Sequence, residues 1–232
     1  MLFYGIDATY LILVLPAVIF ALWAQMNVQG TFKKYAKVAS KRGMTGFDAA
    51  RQILDANGLH HVRIGQVQGN LTDHFNPKDN TVYLSDTVHS ERSAAAIGVA
   101  AHEAGHAVQY AVGYSPMKLR SAIIPITNIG SNLAIPLVLL GILFSFPTLA
   151  YIGVIAFGLS TVFQLVTLPV EFNASSRAMA ALTASGQLDN DELKSARKVL
   201  TAAALTYVAA LAVSLANLIR IFLLAKRSDR RR

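Results

Sequence analysis

The 232-residue chain holds six histidines and four glutamates. Two of the histidines and one glutamate fall in His102-Glu103-Ala104-Gly105-His106, an H-E-x-x-H pattern. Helical residues advance about 100° each, so positions i and i+4 lie roughly 40° apart on one face. Both imidazoles can then share one ion. Glu103, beside the first histidine, can reach a water activated by that ion without being a ligand. The chemistry this fits is metal-assisted hydrolysis, with two histidine ligands and a glutamate base. A lone histidine in an apolar helix reads as a packing residue. Two at metal spacing, with a carboxylate between them, do not.

A zinc site of this kind needs a third protein ligand and one open position for water. Glu171 is the leading candidate for the third ligand. It stands just past an apolar run, in Leu168-Pro169-Val170-Glu171-Phe172-Asn173-Ala174. Glu192 is the weaker candidate, because Asp189-Asn190-Asp191-Glu192 reads as a helix start, where carboxylates serve the dipole. Hydrolysis also needs a donor near the developing oxyanion. Arg177, six residues beyond Glu171, is a candidate, weighed against a membrane-face arginine or an ion-pair partner. His60, His61, His74 and His89 each read as surface or packing residues.

These residues must be positioned by elements the sequence also marks. Residues 91–112 are rich in alanine, interrupted only by glycine, and predict the helix that carries the histidine pair. Residues 47–59 predict an amphipathic helix ended by Asn57-Gly58. Residues 81–84, Thr-Val-Tyr-Leu, predict a short strand after the turn Asn76-Pro77-Lys78-Asp79-Asn80. Around this polar part lie the apolar runs. Residues 8–26 are long enough for a membrane anchor and lack the basic leader of a cleaved signal. Residues 123–144 and 148–170 carry no charge and meet at Ser145-Phe146-Pro147, which predicts a transmembrane hairpin. That hairpin brings Glu171 back to the face where His102 and His106 lie. Residues 199–219 are apolar but punctuated by Thr201, Thr206, Tyr207, Ser214 and Asn217, so three spans and four both remain open.

The expected fold is therefore mainly α, with multi-pass membrane helices and a small metalloprotease-like domain that includes a short β-sheet. The expected divisions are an anchor at 1–26, a cytoplasmic region with the histidine helix at 27–121, a hairpin at 122–170, a cytoplasmic segment with the third ligand at 171–198, and an apolar helix with a basic tail at 199–232. The chain is 53% hydrophobic, 15% charged and carries a net +8. A soluble domain holds about 25% charged residues. With no cysteine, there is no disulfide framework, no thiolate metal site and no cysteine nucleophile. The positive charge clusters beside apolar runs, at Lys33, Lys34, Lys37, Lys41 and Arg42, and in a tail with Lys226, Arg227, Arg230, Arg231 and Arg232. Such clusters are membrane-face anchors rather than nucleic-acid contacts. The dense flank after the first run places residues 27–121 in the cytoplasm. A spanning last run would leave the basic tail outside, against the same rule.

The histidine motif, the hairpin and Glu171-Phe172-Asn173-Ala174-Ser175-Ser176-Arg177-Ala178 together resemble the YugP-type neutral zinc metallopeptidases, bacterial membrane proteins of the gluzincin kind. The resemblance covers nearly the whole chain, including Asn76-Pro77-Lys78-Asp79-Asn80-Thr81-Val82-Tyr83-Leu84-Ser85. A more distant likeness is to HtpX heat-shock proteases and CAAX prenyl endopeptidases. It implies one zinc per chain held by His102, His106 and Glu171, with Glu103 as base, in a multi-pass protein of the bacterial plasma membrane. It also implies that strand 81–84 could be the sheet edge that pairs with an extended substrate. In the distant relatives an aspartate four residues after the ligand glutamate orients a ligand histidine. Here that position is Ser175, so either another carboxylate takes the role or the site is less strongly held.

The function expected from all this is a membrane-anchored zinc endopeptidase acting near the cytoplasmic membrane surface, on protein or peptide substrates that include membrane proteins. The alternative is a metal-stabilised membrane scaffold or assembly factor without turnover. An intramembrane protease of the site-two type fits less well, because Glu91, Arg92, Lys118 and Arg120 flank the metal helix and no span holds an aspartate. The sequence does not set the oligomeric state.

Overall fold

The computed structural model describes residues 7–229. Of the basic tail, Arg230, Arg231 and Arg232 lie outside the described residues. A π-helical turn, Tyr10–Val14, leads into helix α1, Leu15–Tyr35. Then follow α2 (Gly46–Ala56), strands β1 (Arg63–Val67), β2 (His74–Asn76) and β3 (Thr81–Ser85), and α3 (Ala94–Ala111). Three long helices complete the chain: α4 (Ser115–Leu143), α5 (Pro147–Ser185) and α6 (Asn190–Asp229). The fold is mainly α with a small three-stranded sheet, as expected. Four of its helical stretches are long and apolar enough to cross a membrane: Tyr10–Tyr35, Ser115–Leu143, Pro147–Ser185 and Asn190–Arg227. The helix with the histidine pair is not among them.

The residues group into two compact units. The first comprises Met1–Ala24, Leu119–Leu168 and Thr206–Arg232. Without water to satisfy them, peptide groups in lipid must pair within the helix, which is why these apolar runs are helical. Ile12, Ile19, Ile129, Leu143 and Ile155 are exposed on their outer faces, as lipid-facing residues would be. Where α4 and α5 cross, small residues let the backbones approach. A Cβ at Gly153 would lie 2.7 Å from the Ala134 carbonyl, and one at Gly141 would overlap the Ala150 amide nitrogen. The hairpin turn falls at Phe144-Ser145-Phe146, with Ser145 at φ 51° and the Phe146 amide donating to the Gly141 carbonyl.

The last run, left open between spanning and interfacial, lies inside one 40-residue helix. At about 1.5 Å per residue that is roughly twice a bilayer core. Arg220, near its far end, bonds Asp7, which precedes the first span; Nε to Oδ1 is 3.2 Å. The Arg220 guanidinium also lies 5.3 Å from the Tyr10 ring centre. The start of α1 and the far end of α6 thus share one end of this unit, which fits four crossings rather than three.

The second unit, Gln25–Lys118 with Pro169–Leu205, holds the histidine helix at its centre. Ser93 caps α3, its hydroxyl accepting from the Ala96 amide. The helix was expected from residue 91; the cap places its true start at Ala94. Ala95, Ala96, Ile97, Ala100, Ala101 and Ala104 are all fully buried. Their small side chains allow neighbours on several sides. Ile53 and Leu54 of α2, Val82 and Leu84 of β3, Leu182 of α5 and Leu200 of α6 share one core with them. Thr45 and Asp48 form a capping box that starts α2. Gly58, at φ 72°, follows its end as expected.

One expectation fails. Strand Thr81–Ser85 is not an edge. The sheet order is β1-β3-β2, with β1 parallel and β2 antiparallel to β3. Over Thr81–Tyr83 the strand is flanked on both sides, so its backbone groups there are already paired and cannot receive an extended substrate. The free edges belong to β1 and β2. β2 is only three residues long, and in β1 Gly65 and Gln66 interrupt the β-branched Ile64 and Val67, so neither gives the continuous signal that reveals β3.

Candidate metal centre

Helix α3 presents His102 and His106 one turn apart, with ring centres 4.6 Å from each other and rings nearly perpendicular. Helix α5 brings Glu171 to both. Its Oε2 lies 3.3 Å from His102 Nε2 and 3.5 Å from His106 Nε2. All three ligand atoms lie within 4.8 Å of one another. Glu171 is 2% exposed and His106 8%.

This spacing can be tested against a metal. Zinc takes histidine nitrogen and carboxylate oxygen at about 2.0–2.2 Å in a tetrahedron, whose edges are then roughly 3.3–3.6 Å. The two measured nitrogen–oxygen separations match such edges. Two imidazoles and one carboxylate, buried together, are also the donor chemistry that zinc prefers. The residues fit the ion.

The approach of α5 depends on Gly105. A Cβ there would lie 2.8 Å from the Ala174 carbonyl oxygen. Only a residue without that atom lets α5 pass so close, and Glu171 and Ser175 flank Ala174 on the same helix. Pro169 does not break α5, which runs unbroken through Glu171 to Ser185.

Behind the rings, each Nδ1 has a partner. Ser175 Oγ lies 3.1 Å from His102 Nδ1. Position 175 therefore does meet the ring that an aspartate would orient, but without a charge. Gln109 Oε1 lies 2.9 Å from His106 Nδ1. The Gln109 amide nitrogen donates to the Val170 carbonyl at 2.8 Å and to Asn173 Oδ1 at 3.0 Å. Sequence reasoning missed Gln109. Its one visible signal is its place at i+3 from His106, on the same helical face.

Glu103 is buried beside His102. Its charge is felt by His106 and by Asp73. Burial opposes a charged His106 imidazole, but the Glu171 carboxylate and the Glu103 charge outweigh it and hold its pKa above the ordinary value. Asp73, also unmarked in the sequence, accepts from the Ser85 amide at 2.7 Å and from the Ser85 hydroxyl at 2.9 Å. Burial, reinforced by the Glu103 charge, still lifts its pKa above the usual carboxylate range.

Arg177 meets none of the three donors in the contacts described. Its Nε donates to Asn173 Oδ1 at 2.8 Å, and it lines a cavity of about 480 Å³ with Gln52, Asn57, Gly105 and Ser185. Glu192 takes the structural role. It accepts from the Asp189 amide at the start of α6 and from the Lys41 amide. His60 bonds Asp55, His74 stacks on Tyr83 and His89 packs on Phe47, while His61 is exposed.

Comparison with known proteins agrees with this chemistry. Residues 10–226 match the family model described as "Putative neutral zinc metallopeptidase". The chain is 45% identical to the "Putative membrane protease YugP" of Bacillus subtilis (strain 168) over 215 residues, which is 93% of this chain and 96% of that protein. No solved structure matches. With a family match across almost all of its length, the chain belongs to the neutral zinc metallopeptidase family.

Proposed function

We propose that the protein is a membrane-anchored zinc endopeptidase whose single zinc is held by His102, His106 and Glu171. The observation that carries this reading is the convergence of two imidazoles on one carboxylate oxygen, with both nitrogen–oxygen separations matching the edges of a zinc tetrahedron. Zinc held there would supply a Lewis acid that makes water nucleophilic near neutral pH. Glu103, buried next to His102, takes the proton of the attacking water and hands it to the departing amine. Ser175 and Gln109 hold the two rings from behind. Arg177, the candidate oxyanion donor, gives its Nε to Asn173, a bond that orients the guanidinium and does not use its two terminal nitrogens.

The site is assigned to the cytoplasmic side. Lys33, Lys34, Lys37, Lys118, Arg120, Lys194, Arg197 and Lys198 flank the spans on that side. The opposite side has Lys226 and Arg227. Glu171 stands one residue past the apolar run on the same continuous helix. That proximity favours membrane proteins, or peptides near the bilayer, as substrates.

The test is zinc content and proteolysis of the full chain in detergent, for wild type beside Glu103→Gln. One zinc per chain is expected in both, with hydrolysis reduced about 10²–10⁴-fold in the variant. Full activity in Glu103→Gln would sink the assigned base. A zinc-loaded wild type without hydrolysis of any membrane or soluble substrate would favour the scaffold role.

A further inference from the structure

Gln109 is fully buried and links His106 on α3 to Val170 and Asn173 on α5. Its amide has one oxygen and one NH₂, and its partners decide which points where. A backbone carbonyl can only accept, so the group 2.8 Å from the Val170 oxygen is the NH₂. The same NH₂ reaches Asn173 Oδ1. That atom is itself fixed as an acceptor, because the Arg177 guanidinium can only donate to it. The amide oxygen of Gln109 is then the atom facing His106 Nδ1 at 2.9 Å. An oxygen acceptor there requires Nδ1 to carry hydrogen. In the neutral ring the lone pair is left on Nε2, the atom that faces Glu171 Oε2 at 3.5 Å.

We propose that Gln109 is a positioning residue that fixes the tautomer of His106 and ties that ring to the helix carrying Glu171, with Asn173 and Arg177 holding the amide in orientation. The inference rests on the zinc site above. It separates the two histidines. Ser175 faces His102 Nδ1, but a hydroxyl donates or accepts equally well and leaves that tautomer open. His106 has no such freedom. With Nδ1 committed to Gln109, Nε2 is the ring atom left to face Glu171 Oε2, and a cation would sit between those two.

The experiment uses the full chain in detergent. Zinc affinity is measured by competition with a chelator, for wild type, Gln109→Leu and Asn173→Ala. Ring-nitrogen NMR of ¹⁵N-histidine protein reports which nitrogen carries hydrogen, with and without zinc. Loss of a group that orients a ligand histidine costs about 10–100-fold in affinity. Gln109→Leu should lose that much, and its His106 Nδ1–H signal should broaden or vanish. Asn173→Ala should weaken zinc by a smaller factor in the same direction. Unchanged affinity together with an unchanged Nδ1–H signal in Gln109→Leu would overturn the proposal. Should Gln109→Leu melt far below wild type, Asn173→Ala decides, since it leaves the α3 side intact: native melting with weaker zinc supports the role, and native melting with native affinity overturns it. A wild type that binds no zinc would refute the metal reading instead. The metal-free ring spectra would still say whether His106 carries its hydrogen on the nitrogen facing Gln109.

Discussion

Gly105→Ala tests whether the close crossing of α3 and α5 sets the metal geometry. The added Cβ would sit 2.8 Å from the Ala174 carbonyl oxygen, against about 3.4 Å for ordinary contact, so α5 must retreat by about 0.6 Å. The obstacle is backbone, which cannot swing aside. Overpacking of this kind costs about 1–3 kcal/mol. Replacing a mid-helix glycine by alanine returns about 1 kcal/mol. The net loss of stability is therefore only about 0–2 kcal/mol, and the chain should fold. The metal site has no such compensation. Glu171 precedes Ala174 by three residues on the same helix, so a retreat of that size moves its carboxylate away from both rings. Zinc bond lengths hold within about 0.2 Å, so a shift three times larger should weaken zinc about tenfold or more. Gly98→Ala is the control. There the Cβ meets Ala196 Cβ at 3.2 Å, on α6 rather than α5. It should change melting slightly and leave zinc affinity alone. Chelator competition and thermal melting of metal-free protein in detergent read both quantities. Equal zinc affinities for Gly105→Ala and Gly98→Ala would refute the idea that this crossing holds the third ligand.

Two further outcomes are expected. Asp73 has a raised pKa in the folded chain, so its contribution to stability is present below the ordinary carboxylate value and is lost as pH rises through the raised one. Asp73→Asn removes that slope; the melting temperature of metal-free wild type, relative to the variant, should fall as pH rises from the ordinary carboxylate range towards neutrality, and a constant difference would contradict the shift. Because the chain lacks cysteine, Lys37→Cys and Phe146→Cys each give a single thiol. In intact cells an impermeant thiol reagent should label the second and not the first, whereas the reverse would put the metal centre outside.

The sequence reveals most where one residue type has one use. H-E-x-x-H announces its helix and two donors, and four glutamates leave few choices for a third. Glu171 could be placed because an antiparallel hairpin returns the chain to the face it left. The long runs were legible because lipid demands both length and apolarity. The last run was less so, since Thr206, Tyr207 and Ser214 punctuate it and its basic tail argues against a span, although its most apolar stretch is no less apolar than those of the other three. Hydroxyls are compatible with a span when neighbouring helices share the hydrogen bond, as Thr161 and Ser214 do at 2.9 Å. The sheet was half visible. β3 is rich in β-formers because it is central and buried. β1, with Gly65 and Gln66, and the three-residue β2 owe their form to pairing with it, which no local pattern records. Gln109 was invisible for a related reason: its role comes from α5, sixty residues away.

The charges at the centre explain why neutral groups stand behind the histidines. Glu103 and Glu171 bring two negative charges into a buried place. A divalent ion on the three donors balances both, and burying a balanced set is far less costly than burying a surplus. An aspartate at position 175 would add a third negative charge beside His102. Ser175 and Gln109 give each ring a hydrogen-bond partner and leave the balance at zero. Asp73 is the next carboxylate outward, and it is the one whose pKa is raised. Its shift comes first from burial, and the Glu103 charge adds to it in the same direction. The neutral partners are thus better read as part of the site's charge balance than as a weakened copy of the relatives' aspartate. Less electron density reaches the ion through neutral partners than through a carboxylate. A zinc ion held there would keep more of its own charge, which would favour acidifying water at the expense of some metal affinity.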